Sequence, residues 1–222
     1  MKWLKWLYIL AGIAFFIKML FLPNPAPSLP FSSVEAIFRD SGVINVVSGV
    51  IFRNRLYDTM FEVIVFTIAI MGAHYLLAKD RLPSTIRQFQ DQPSVLLTRL
   101  GATISALVGI ELAIRGHLSP GGGFAAGVAG GTAIGLVAMT SSPEWMQAIY
   151  QRWRVATWEK ISVLVFIVLA IATLLGYELP PGTPGDLLSG GIVPLLNFIV
   201  AIKVALGSWA VVLTFIRHRG LL

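Results

Sequence analysis

The stretch Arg115-Gly116-His117-Leu118-Ser119-Pro120-Gly121-Gly122-Gly123-Phe124 joins two long apolar runs, residues 95–114 before it and 123–139 after it. Pro120 keeps the chain from entering the second run early, and three consecutive glycines permit positive φ and close backbone approach. A tight helical hairpin is predicted. The same glycines leave amide groups uncovered at the start of the second run, so the turn reads either as a bare hairpin or as a place where a carboxylate or anion is met. Beyond the turn, Gly123, Gly127, Gly131 and Gly135 recur every four residues, and Gly101, Ser105 and Gly109 do the same on the first run. In lipid such small-residue stripes let two helix backbones approach and gain dispersion contacts, so these two helices are predicted to pack against each other.

Four further apolar runs, residues 3–22, 57–78, 161–177 and 191–216, are each close to the 18–25 residues that span a hydrocarbon core as a helix. The chain of 222 residues is 56% hydrophobic and 13% charged, with a mean hydropathy of +0.78. A typical soluble domain is roughly 45–50% apolar and about 25% charged, so a water-soluble globule is excluded. The reading is an all-α polytopic membrane protein of about six transmembrane helices plus one outer amphipathic helix. The first run follows Lys2 and Lys5 but is long for a secretory signal and contains Trp3, Trp6 and Lys18, so it is read as a helix.

The absence of cysteine excludes disulfide frameworks, thiolate metal sites and thiol nucleophiles, and three histidines leave little for a metal centre. No metal ligand set and no catalytic residue is read from the sequence, and the loops leave no room for an extramembrane catalytic domain. The chain is therefore not expected to be an enzyme. Its net charge of +6 comes without blocks of basic residues beside polar contact residues, which argues against nucleic acid as a partner.

Lys and Arg instead sort by side. Lys2, Lys5, Lys79, Arg81, Arg87, Arg99, Arg152, Arg154, Lys160, Arg217 and Arg219 fall on one side of the six runs, whereas Lys18, Arg39, Arg53, Arg55 and Arg115 fall on the other. This asymmetry places both termini in the cytoplasm, and Trp3, Trp6, Trp145, Trp153 and Trp158 form an aromatic belt on the same side. On the outer side, Pro23, Pro25, Pro27 and Pro30 predict an extended linker. It is followed over residues 33–52 by an amphipathic helix built on Val34, Ile37, Val43, Ile44, Val47 and Val50. Pro180, Pro181, Gly182, Pro184 and Gly185 make residues 179–189 a rigid outer turn.

Ionisable residues inside spans cost a few kcal/mol unless paired or hydrated, which makes them pointers to function. Asp58 and Glu62 lie one turn apart at the outer start of the second helix, and Glu111 and Arg115 at the outer end of the third. Asp58 beside Arg55, and Glu111 with Arg115, read equally as structural ion pairs. Lys203 lies near the middle of the sixth helix with no opposite charge within a turn, so its partner must come from another helix or another subunit. Glu62 and Glu111 are within reach if Lys203 stretches outward. His74, near the inner end of the second helix, is either a proton relay or a hydrogen-bonded bystander.

Two stretches carry a family resemblance. Gly116-His117-Leu118-Ser119-Pro120-Gly121-Gly122-Gly123-Phe124-Ala125-Ala126-Gly127, with the later Gly190-Gly191-Ile192-Val193-Pro194-Leu195-Leu196-Asn197 through Lys203, resembles the MnhB domain of the multi-subunit Mrp-type sodium/proton antiporters, over residues 93–217. Asn45-Val46-Val47 followed by Phe52-Arg53-Asn54-Arg55-Leu56-Tyr57-Asp58-Thr59-Met60-Phe61-Glu62 resembles the C-terminal part of the large Mrp antiporter subunit, the MbhE-like segment of membrane-bound hydrogenases, over residues 1–80. Phe61 stands where that pattern often has Gly, and Asn197 where the last helix commonly has Asp. The resemblance implies a fusion of two neighbouring subunits in the cell (inner) membrane. It implies a role as a small, non-autonomous part of a sodium/proton antiporter beside large complex-I-like subunits, shaping a path for transported Na+ and H+ and binding no cofactor itself. Two other readings stand beside it: the same module inside a hydrogenase or complex-I-like respiratory enzyme, and a structural scaffold without ion contact.

Overall fold

The computed structural model describes residues 32–80, 86 and 88–219, with isolated positions at 10, 13, 16, 17, 20 and 21. Residues up to Glu35 form one compact unit and Ala36–Leu222 another. The regular elements from residue 32 onward are all helical: α1 (Ser32–Ser41), α2 (Val46–Gly49) continued by a π-helical turn (Val50–Asn54), α3 (Leu56–Leu77), α4 (Gln92–Arg115), α5 (Gly122–Met139), α6 (Pro143–Arg152), α7 (Val155–Leu174) and α8 (Val193–Arg219). Helices α3, α4, α5, α7 and α8 are long and apolar enough to cross a membrane, and they correspond to five of the six expected spans. Apart from those isolated positions the first expected span falls outside the described residues, as do the proline linker after it and the two chain termini.

Local chemistry explains the boundaries. Asp91 caps α4 by accepting from the Ser94 amide at 3.0 Å, with Pro93 in the first turn, and Ser142 caps α6 through the Trp145 amide at 3.2 Å. Arg154 turns the chain between α6 and α7 in the left-handed region at φ 48°.

The helices run up and down through the bundle, and the most buried is α8, packed against α3, α5 and α7. One end of the bundle, here the hairpin end, carries the α4–α5 turn and the segment 36–54. The other carries α6.

Two expectations change. The single amphipathic helix over residues 33–52 is broken, because Gly42 at φ 67° turns the chain and α2 restarts at Val46 with Asn45 as its cap. The break lets Val43 bury completely while Val34, Ile44 and Val47 remain exposed, so the six apolar positions do not share one face. The glycine stripe of α5 faces α8 rather than α4. A Cβ on Gly127 would lie 2.8 Å from Val204 Cγ1, and one on Gly131 would lie 2.5 Å from Ser208 Cβ. Helix α4 does pack closely on α5, but through Gly109 against the Ala126 carbonyl and the Gly130 amide, on a different face of α5.

A buried ion pair and a polar hairpin

Lys203 is fully buried, and its Nζ lies 2.8 Å from Oε1 of Glu159 on α7, whose side chain is 8% exposed. The ammonium also sits over the Phe66 ring of α3, 4.2 Å from its centroid, so three helices meet at one charge. Gly207, one turn further along α8, makes the space: a Cβ there would stand 2.6 Å from Ile70 and 2.7 Å from Phe66, and 3.5 Å from Nζ. The lysine thus extends toward the α6 end. This corrects the expectation that it stretches toward Glu62 or Glu111. Glu159 escapes a reading of the sequence because Glu159 and Lys160 together look like the end of a loop, and α7 begins at Val155, six residues before the expected span. The signal that marks it is its position as the sole acidic residue on a helix that otherwise offers Lys203 no anion.

Toward the α6 end of the same face, the Thr214 hydroxyl donates to the Ala210 carbonyl at 2.8 Å and lies 3.0 Å from Nδ1 of His74. His218 Nδ1 lies 2.8 Å from the Thr214 carbonyl, so the sequence candidate His74 joins a short polar line along α3 and α8.

At the hairpin end the polar groups are denser. Gly121 at φ 128° and Gly122 at φ 68° form the turn, where a side chain would be strained. The Asn45 side chain donates to the carbonyls of Gly116 at 2.8 Å and Ser119 at 2.7 Å, and the Ser48 hydroxyl donates to Gly116 at 2.7 Å. The Asn45 amide donates to the His117 carbonyl at 3.0 Å. From α8, Asn197 Nδ2 donates to the Ala113 carbonyl at 3.1 Å, satisfying an orphan acceptor at the C-terminus of α4. Its Oδ1 is buried beside the start of α5, where Cβ atoms on Gly122 and Gly123 would lie 3.4 and 3.2 Å away. The glycines of the motif are thus demanded by Asn197 and by the turn. His117 is fully buried, and neither ring nitrogen makes a well-aligned hydrogen bond among the described residues. Burial holds its imidazole below the ordinary range, with the backbone of Asp186 and Leu187 opposing in part. Arg53 ties this end together, reaching Asp40 at 3.2 Å and Glu178 at 2.6 Å.

The remaining candidates lie on the surface and do not converge on Lys203. Asp58 pairs with Arg55 at 2.5 Å and Glu111 with Arg115 at 3.4 Å, while Glu62 is exposed on α3. Pro120 is exposed at the turn. Among the described residues no group of three or more His, Asp or Glu side chains is placed to hold a metal ion.

Residues 93–210 match the model of a domain related to the MnhB subunit of Na+/H+ antiporters. An uncharacterised protein of Methanocaldococcus jannaschii is 26% identical over 197 residues, covering 73% of each chain. A probable A/B subunit of a K+/H+ antiporter from Rhizobium meliloti is 26% identical over 159 residues, which is 60% of this chain and 16% of that protein. The fold is similar to a chain of the membrane-bound sulfane sulfur reductase, an archaeal respiratory membrane complex, at a TM-score of 0.69 and 24% identity over 96% of this chain and 97% of that one. It is also similar to a chain of the Mrp complex from Dietzia, at a TM-score of 0.61 and 19% identity over 96% of this chain and 25% of that one. With over half of its length matched by the family model and five helices fit to cross a membrane, this multi-pass chain belongs to the family defined by the MnhB-related domain of Na+/H+ antiporters.

Proposed function

We propose that the chain is a small, non-autonomous membrane subunit of a multi-subunit cation/proton antiporter, and that the Lys203–Glu159 pair is its charged element. The observation that carries this reading is an ion pair closed off inside an apolar bundle. Buried ion pairs often add little stability over apolar residues of similar volume, so such a pair is weak evidence for a structural role. Together the two groups are neutral. A proton taken from Lys203 leaves Glu159 as a single buried negative charge, which strongly favours a compensating positive charge nearby. A cation or proton moving in an adjoining subunit supplies one. The half-buried Asp58 and the exposed Glu62 and Glu111 at the hairpin end line the mouth of the path, and Glu62 has no ion-pair partner among the described residues. The partners are other membrane subunits, including large complex-I-like antiporter subunits, with Na+ and H+ as the transported ions and both termini in the cytoplasm.

The test uses the assembled complex in vesicles holding matched amounts of protein. The double variant Lys203→Met with Glu159→Gln removes both charges and strands neither. Assembly is expected to survive while cation-dependent proton exchange falls at least tenfold. Exchange at the wild-type rate would leave only the scaffold reading.

A second reading places the same chain in a respiratory complex, favoured by the end-to-end match with a chain of the sulfane sulfur reductase complex, against a match to a quarter of the Mrp chain. Iron–sulfur subunits copurifying with the chain would select it.

A further inference from the structure

At the α6 end, a groove of about 620 Å³ runs between α4, α5 and α8, with α6 lying across its mouth. Its walls are apolar apart from Arg99, Thr103 and the indole groups of Trp145, Trp153 and Trp209. On the other side of Trp153 lies a second groove of about 600 Å³, which shares Trp153 and Leu206 with the first and carries Arg152 and Arg154. None of these three guanidinium groups has a carboxylate within ion-pair distance among the described residues. Arg99 is held by hydroxyls, Thr140 at 3.3 Å and Ser141 at 3.2 Å. The indole N–H of Trp209 is buried in the groove wall without an acceptor among the described residues.

We propose that these two grooves seat an anionic phospholipid, its chains laid on either side of Trp153 and its phosphate held by Arg99, Arg152 and Arg154. Charge is the first argument. Three uncompensated cations beside apolar grooves at the end of a membrane bundle attract an anionic headgroup, and Arg offers a planar fork suited to phosphate oxygens. The exposed Trp145 and Trp153, whose rings favour the headgroup level, fix that level at the mouths of the grooves. Shape is the second argument. Beyond Ala106 a smaller apolar groove of about 300 Å³, which shares Ala106, Ala133 and Ile134 with the first, is lined by small residues such as Gly109, Ala126 and Gly130. The small residues along it leave room for the end of an acyl chain. Helix α6 also closes the end through which a spanning helix would have to leave.

Native mass spectrometry of the purified complex tests this, after exchange into phosphatidylglycerol or phosphatidylcholine with identical chains. Wild-type complex is expected to retain phosphatidylglycerol about tenfold better than phosphatidylcholine. The Arg99→Gln, Arg152→Gln, Arg154→Gln variant should lose that preference, and the corresponding Arg→Lys variant should keep most of it. Ala106→Phe, which adds bulk where the two apolar grooves adjoin, should weaken retention of both lipids. Arg115→Gln at the hairpin end should change nothing. Equal retention of the two headgroups by wild type overturns the proposal. So does a preference that survives the triple Gln variant, or the absence of bound lipid because a neighbouring subunit fills the grooves.

Discussion

Alanine substitution along the α5 stripe offers a graded test of the packing, because its glycines differ in what an added methyl would meet. At Gly127 the new Cβ falls 2.8 Å from Val204 Cγ1 and 2.9 Å from the Ala201 carbonyl oxygen. The carbonyl belongs to a helix ladder and cannot turn away, so α5 and α8 must separate locally by several tenths of an ångström. At Gly131 the methyl meets Ser208 Cβ at 2.5 Å, which no rotamer of Ser208 relieves. Gly130 beside the stripe meets only Ala205 Cβ at 3.1 Å, and Gly135 meets Val212 Cγ2 at an ordinary 3.9 Å. Overpacking a close contact costs about 1–3 kcal/mol, and replacing a helical Gly by Ala returns about 0.5–1 kcal/mol through chain entropy. Gly127→Ala and Gly131→Ala should therefore each cost about 1–2 kcal/mol net, Gly130→Ala close to nothing, while Gly135→Ala should stabilise by about 0.5 kcal/mol. The assay is thermal denaturation of the purified complex in detergent, read as the midpoint for loss of monodisperse protein. If Gly127→Ala and Gly135→Ala shift it equally, the stripe does not face α8.

Three other outcomes follow from the geometry. The singles Lys203→Met and Glu159→Gln should each destabilise by about 3–5 kcal/mol, because each strands a buried charge, and the double variant by less than either. Additive losses in this double-mutant cycle would mean the pair does not exist. Asn45→Ala should cost about 1–3 kcal/mol, since the Gly116 and Ser119 carbonyls lose its donors, with faster hydrogen exchange across residues 116–123 as the readout. His117 is held neutral by burial, so its folded pKa lies below its unfolded value, and the unfolded chain binds the extra proton first as pH falls. Its contribution is intact above about pH 6.5 and is lost on further acidification. Hairpin protection factors, corrected for the intrinsic pH dependence of amide exchange, should therefore fall as pH drops below about 6.5 in the wild type and stay flat in His117→Gln.

What the sequence discloses and withholds divides along a physical line. Periodicity and run length report which residues are apolar and which share a helix face, so the five described spans and the Gly116–Gly123 turn are legible. A periodic pattern does not say which neighbour a face meets. The α5 stripe therefore reads as a contact with the adjacent helix in sequence, whereas Val204 and Ser208 on α8 occupy it and Gly109 takes the other face. Charge misleads at Glu159, because the same residue type that ends a span at an interface is also what an internal lysine requires. Gly42 is hidden for a different reason. Its positive φ matters only because Val43 has a pocket to enter, and that pocket is built by residues far along the chain, among them Gly190.

Residues 36–80 and 93–217 meet at the hairpin end and again at the buried ion pair. Residues 45–48 satisfy carbonyls in the α4–α5 turn, Asn197 of α8 satisfies the end of α4, and Phe66 of α3 covers the ammonium of Lys203. The earlier segment therefore supplies polar closure at the hairpin end and one wall of the charge site in the middle, and neither is complete without it. Joining the segments in one chain fixes their stoichiometry at one to one and makes their meeting intramolecular, which raises its effective concentration. That matters at Lys203, because a ring or carboxylate displaced by an ångström leaves the ammonium solvated by nothing. An intact chain holds Phe66, Glu159 and Lys203 in a single packed unit, so that α3, α7 and α8 all contribute a side chain to the one buried pair.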